Sequence, residues 1–177
     1  MPRIVACGPR TAALDAFVDA LASTEAKDHL FLLIDAEGPV VGTDPWAHVA
    51  RRQKDGWTRP EGALPGHLHL MVQTTEAWLL ADVDGLQGYF GRRFERPALP
   101  ASRSIESLSK PELDGLLARA FRELGGYQKG RHCFRPLATL DPARIRAASP
   151  WAERFFTVLA AGLSAAQAPA VAPRSPV

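Results

Sequence analysis

A chain of 177 residues, 46% hydrophobic and 23% charged, holds enough material for one domain with a real core, which excludes a low-complexity or fibrous protein. A formal net charge of +2 is too small to argue for a nucleic-acid binder from charge alone. Cys7 and Cys133 are too few for a disulfide framework, no apolar run reaches a membrane span, and the apolar stretch near the N-terminus is too short for a signal peptide, so a cytoplasmic protein with no membrane contact is expected.

In chain order, Arg3 to Cys7 reads as a first strand ended by Gly8-Pro9, with Cys7 as a small buried residue. Thr11 caps a helix running to about Ser23, since Leu14, Phe17, Val18 and Leu21 fall at helical spacing. Leu30-Phe31-Leu32-Leu33-Ile34 then runs without a polar break into Asp35-Ala36-Glu37-Gly38-Pro39. Such a run fits a strand buried on both faces, as in a parallel sheet covered by helices. The β-α-β opening supports that reading, because parallel strands need a crossover.

Residues 38–66, with Trp46, Trp57 and the charged group Arg51 to Asp55, predict a long loop holding one short helix from about Pro45 to Lys54. His67 to Gln73 predicts a third strand. Thr74 or Thr75 caps the following helix, Glu76 to Ala81, which resumes after Asp82 as Asp84 to Phe90. Residues 91–104, rich in Arg and Pro, are expected to be irregular. Ser109-Lys110-Pro111-Glu112 starts a helix with Leu113, Leu116, Leu117, Ala120, Phe121 and Leu124 on one stripe, and Gly125-Gly126 ends it. Tyr127 to His132 reads as a short loop. Two more helices start near Asp141-Pro142 and Ser149-Pro150, the last with Phe155, Phe156 and Leu159 inward. From Ser164 the Ala/Pro/Ser-rich composition predicts a disordered tail over residues 164–177. The expected architecture is one α/β domain over residues 1–163. It has a small, mostly parallel sheet, flanking helices and a helical C-terminal part.

Open α/β sheets place ligands at the carboxyl ends of their strands, where Asp35 and Glu37 fall. In an extended chain, residues i and i+2 point to the same side. Glu76 follows the next strand. If the two strands are neighbours, Asp35, Glu37 and Glu76 form an acidic edge that suits Mg²⁺ or Mn²⁺, with water and phosphate completing the shell. Each also has a plain structural reading, Glu76 as a first-turn residue above all. Asp82 is expected to terminate one helix or cap the next. Lys110, Lys129, Arg131 and His132, beside Gly130, are candidates to hold phosphate. Arg92, Arg93 and Arg96 form a second basic group. His67 and His69 have a spacing that zinc sites use, but without a third ligand they read as a solvent-facing or edge pair. Trp78 reads as core. There is no Walker loop and no Gly-x-Ser-x-Gly elbow.

Three blocks carry a family resemblance: Leu32 to Val40, His69 to Asp82 (with Gln73-Thr74-Thr75-Glu76-Ala77-Trp78-Leu79-Leu80-Ala81-Asp82 the most specific part), and Tyr127-Gln128-Lys129-Gly130. Leu99-Pro100, Ile105-Glu106 and Lys110 fit the same pattern. Over about Ile4 to Leu159 the chain resembles the family known as domain of unknown function 4276, which is similar to TOPRIM domains, α/β metal-binding modules of Rossmann-like type. The resemblance implies that Asp35 and Glu37 match the TOPRIM Asp-x-Asp pair. Glu76 and Asp82 would be further acidic positions, and Lys110 and Lys129 basic ones. It also implies an AAA-type ATPase partner in bacterial defence. A TOPRIM domain carries a Glu just after its first strand, whereas residues 6–10 read Ala-Cys-Gly-Pro-Arg. Either Glu76 supplies that group or the site is not a working nuclease.

The expected function is therefore a metal-dependent nuclease. Glu37, Glu76 and Lys129 would be catalytic, and Asp35, Glu37 and Glu76 would hold Mg²⁺ or Mn²⁺. Lys110, Lys129, Arg131 and His132 would bind phosphate. The alternative is a non-catalytic interaction subunit of an ATPase complex, using the Trp46–Trp57 loop and C-terminal helices as its docking surface.

Overall fold

Two parallel strands lie between two hydrophobic clusters in a computed structural model that describes residues 3–23, 29–99 and 104–167. Strand β1 (Leu32–Asp35) pairs with β2 (Leu68–Met71) in the register Leu32 to Leu68 and Asp35 to Met71. Leu32, Ile34, Leu68 and Leu70 face one cluster with Phe17, Leu21, Trp46, Val49 and Trp57, while Leu33 and Met71 face the other. Both faces are covered, so the strands carry no polar alternation before Asp35.

Helix α1 (Arg10–Ser23) packs on β1, and α2 (Pro45–Arg51) packs on β2 within the crossover. Asp44 caps α2 by accepting from the Trp46 amide at 2.9 Å. The second cluster is built by α3 (Thr75–Leu79), α4 (Val83–Phe90), α5 (Lys110–Ala120), α6 (Lys129–His132), α7 (Phe134–Leu137), α8 (Pro142–Ala148) and α9 (Pro150–Gln167). Helix α5 opens with a capping box in which Glu112 accepts from the Ser109 amide at 2.9 Å. Glycine at 125 lets the chain turn left-handed after that helix, at φ 86°. Arg154 of α9 pins β2, donating to the Leu68 and Pro65 carbonyls and to His69 Nδ1, each at 3.0 Å.

Five expectations need correction. Residues 3–8 form no strand: Ile4 is 90% exposed, and no neighbour supplies the ladder that an extended segment needs. The sheet among the described residues therefore has two strands, and the candidate third strand is β2. Cys7 is accordingly half-buried, not a core residue. His67 and His69 are buried, and they lie on different faces. His67 precedes β2 and meets Phe17 edge-on at 5.7 Å, while His69 meets Phe155 of α9 at 5.1 Å. Trp46 and Trp57 are core residues, so they offer no docking surface. The last helix continues to Gln167, past the expected tail boundary at Ser164; residues 168–177 lie outside the described residues.

Asp82 caps α4, as expected, accepting from the Gly85 amide at 2.9 Å. It also accepts from the Asp141 amide at 3.0 Å, and Arg144 lies 3.3 Å away, which ties α4 to α8. A Cβ on Gly85 would collide with that carboxylate, so the cap needs glycine there.

Candidate functional site

Beyond β1 the ladder continues for two residues, with the Ala36 amide donating to Met71 O at 2.9 Å and the Glu37 amide to Gln73 O at 2.7 Å. Glu37 there adopts φ 60°, the left-handed region that ordinary side chains avoid. Its neighbours hold it in that conformation. Arg10 donates to the Asp35 carbonyl, while His48 Nε2 at 2.9 Å and Arg52 at 3.0 Å donate to the Ala36 carbonyl. Asp55 clamps both guanidiniums from behind, at 2.7 Å from Arg10 Nη2 and 2.7 Å from Arg52 Nε. Burial raises the Asp55 pKa, but the two arginines outweigh it and the carboxyl sits below its ordinary value. A strained residue over-determined by its surroundings marks functional segments more often than plain loops.

The side chains of this edge meet charges from other elements. Asp35 Oδ1 accepts from the Thr75 amide at 2.7 Å and from Thr75 Oγ1 at 2.6 Å, which joins the end of β1 to the start of α3. That leaves Asp35 Oδ2 for Lys129, 3.3 Å away. The same ammonium lies 3.2 Å from Glu76 Oε2. Burial works against the charge on Lys129, yet Asp35 and Glu76 outweigh it and hold its pKa above the ordinary value. Glu37 is paired elsewhere, with Lys110 of α5 at 3.3 Å.

The predicted acidic edge thus forms in part. Asp35 and Glu76 converge, and the cation between them is the protein's own lysine. Glu37 does not join them, because its left-handed backbone breaks the two-residue alternation of an extended chain. Among the described residues no three His, Cys, Asp or Glu side chains are grouped to hold a metal ion. Lys110 and Lys129 both reach the site. Arg131 and His132 do not touch these carboxylates. His132 is buried, stacked on Phe121 at 5.0 Å, with Nδ1 accepting from the Gln128 amide at 2.9 Å. Burial lowers its pKa, which disfavours the charged form a phosphate ligand would need. Within the expected loop of residues 127–132, Lys129–His132 form a short helix held in place by that aromatic packing.

Three contributors went unread in the sequence. In the sequence Thr75 has the signature of a cap; in the structure it is the donor that orients Asp35. The Arg10–Asp55–Arg52 clamp was hidden because it joins residues 45 positions apart. Tyr127 is half-buried, with its hydroxyl enclosed beside Glu76 and Cys133. Burial first, and then its neighbours Cys133 and Glu76, push the phenol far above its ordinary pKa, so it stays protonated. Burial likewise raises the Cys133 thiol to about 11, which makes it a poor nucleophile. In the sequence Tyr127 is marked only as the first residue of the Tyr127-Gln128-Lys129-Gly130 block.

No helix among the described residues is long and apolar enough to cross a membrane. Comparison with curated proteins and with solved structures gives no match. A family match does exist, over residues 3–160, and it takes in every side chain of the cluster. The chain belongs to the family described as domain of unknown function (DUF4276).

Proposed function

We propose that this protein is a metal-dependent nuclease that hydrolyses phosphodiester bonds at the Asp35–Glu76 edge, in the manner of TOPRIM-like domains. The observation that carries the reading is the convergence of two carboxylates from separate segments on one cation at the carboxyl end of parallel strands. The Lys129 ammonium is a stand-in for a divalent ion there. Mg²⁺ commonly uses one or two carboxylates and completes its shell with water and phosphate, so this donor set fits it. A bound Mg²⁺ or Mn²⁺ would supply charge neutralisation on the phosphate and an activated water.

The chain's own groups have separate tasks. Asp35 and Glu76 would hold the cation. Lys129 is partly exposed on a flexible stem, and it would swing from the carboxylates to a phosphate oxygen as substrate enters. Lys110 approaches the same phosphate from α5. Glu37 is the most accessible of the three carboxylates and would take the proton of the attacking water. A bacterial defence setting and an AAA-type ATPase partner rest on the family resemblance alone.

A second reading is favoured by a specific observation. Lys129 already neutralises both carboxylates, and residues 6–10 bring neither a strand nor a carboxylate to the site. A non-catalytic subunit of an ATPase complex would be built this way. Cleavage of plasmid DNA and of RNA with Mn²⁺, by wild type and by Glu76→Gln and Glu37→Ala, separates the two. Calorimetric titration with Mn²⁺ is run alongside. The nuclease reading expects cleavage by wild type alone. Absence of Mn²⁺ binding at millimolar concentration, or equal activity in all three proteins, favours the subunit.

A further inference from the structure

Arg10, Arg52, Arg96, Arg122, Arg144 and Arg146 all neutralise carboxylates. Arg93, Arg131 and Arg135 make no ion pair among the described residues, and all three line one cavity of about 260 Å³. They come from three places: the 3₁₀ turn after α4, α6 and α7. Arg93 spends one donor on the Glu123 carbonyl, and the Glu123 carboxylate is taken up by Arg122 at 3.7 Å. Three like charges around one opening repel each other, and an anion relieves them.

An aromatic wall stands beside them. Tyr89 is 45% exposed at the cavity, and its ring meets Phe90 edge-on at 4.8 Å. Phe90 in turn packs on the buried Phe121 at 5.0 Å, so the exposed ring is backed by the core. Guanidinium forks match phosphate oxygens, and a fixed aromatic face stacks a base. The cavity is smaller than a typical ligand pocket, which suits one nucleotide of a chain passing through it.

We infer that the cavity of Arg93, Arg131, Arg135 and Tyr89 docks a single-stranded nucleic acid, with phosphates on the guanidiniums and a base against the tyrosine. A phosphopeptide would leave the exposed ring without a counterpart. Helix α6 carries Lys129 into the carboxylate cluster and Arg131 into this cavity, two residues apart. Residues two apart on a helix point to different sides, so the cavity and the cluster are separate places on the molecule, and the docking does not rest on the nuclease reading.

The test measures binding of a short fluorescein-labelled single strand, DNA or RNA, by anisotropy on the full chain. EDTA is present so that cleavage cannot interfere. Wild type is expected to bind with an affinity that falls steeply with salt. Arg131→Ala with Arg135→Ala is expected to weaken binding at least tenfold and to flatten the logarithmic salt slope by about 0.7 per lost phosphate contact. Tyr89→Ala is expected to weaken binding about tenfold at unchanged slope, and Tyr89→Phe to restore it. These side chains are exposed, and circular dichroism melts check that each variant is folded. Wild-type binding that survives all these substitutions, no binding at low salt, or tighter capture of a labelled phosphopeptide overturns the inference. Intact docking with no cleavage under Mn²⁺ would instead remove the nuclease reading and leave the docking site standing.

Discussion

Thr75 donates twice to a single oxygen of Asp35, from its amide at 2.7 Å and its hydroxyl at 2.6 Å. The first turn of α3 is thereby locked to the end of β1, and the other Asp35 oxygen is aimed at Lys129. One oxygen of the carboxylate is thus tied to the fold, and the other meets the ammonium.

Thr75→Val keeps the shape but removes the hydroxyl donor. A partly buried carboxylate losing one of its three donors costs about 1 kcal/mol or somewhat more, read as a lowered denaturation midpoint. Mn²⁺ affinity, measured by calorimetry, is expected to fall because Asp35 becomes free to rotate. Thr75→Ser keeps the donor and should stay close to wild type in both measurements.

Lys129→Met leaves the Asp35 and Glu76 carboxylates facing one another without their cation. Like charges at this range repel, so the variant is expected to melt at a lower temperature and to bind Mn²⁺ more tightly than wild type. Added Mn²⁺ should restore much of the lost thermal stability. Cleavage should still fall, since the lysine no longer reaches phosphate. Unchanged or weaker Mn²⁺ binding would mean that this position serves only the ion pair.

Glu37 occupies a backbone region that costs a non-glycine residue roughly 1–2 kcal/mol. Glu37→Gly relieves that cost at the expense of a more flexible unfolded chain. It is expected to match or exceed wild type in chemical denaturation while losing cleavage. Its partner Lys110 is exposed, so the lost ion pair weighs little. Glu37→Val should be less stable, by about 1–3 kcal/mol.

His69 sets an acid limit on the fold. Burial, reinforced by the Arg154 charge, lowers its pKa from 6.5 to about 4. Between those values the unfolded chain binds a proton that the folded one does not, so stability rises with pH and is lost as pH falls from 6.5 towards 4. The loss amounts to about 3 kcal/mol across that window. His48 and His132, also lowered by burial, act in the same direction. Urea titrations at several pH values should show the slope, and His69→Gln, which keeps an acceptor for Arg154, should flatten it.

Asp82→Ala removes the cap of α4 together with its bonds to Asp141 and Arg144. The expected cost is about 2–4 kcal/mol in thermal or chemical denaturation. Asp82→Asn, with one acceptor kept, should lose less. If the latter variant cleaves normally, this carboxylate is confined to structure, unlike Glu76 six residues earlier.

Much of the local structure could be read from residue order. The unbroken apolar run before Asp35, the Ser109–Glu112 box and the Asp-Pro and Ser-Pro helix starts act through neighbours a few residues apart, so their signals are local. The same order put Asp35 at the end of one strand and Glu76 just after the next, and the pairing of β1 with β2 made the two neighbours. Residues 3–7 look like a strand by composition, but a strand exists only where another chain segment completes its hydrogen bonds. The inward turn of His67 and His69, the separation of Glu37 from its acidic neighbours, and the lysine between Asp35 and Glu76 were decided by contacts across about 50 to 94 positions. Charge and burial at those distances depend on which elements pack together, and only the tertiary structure determines that.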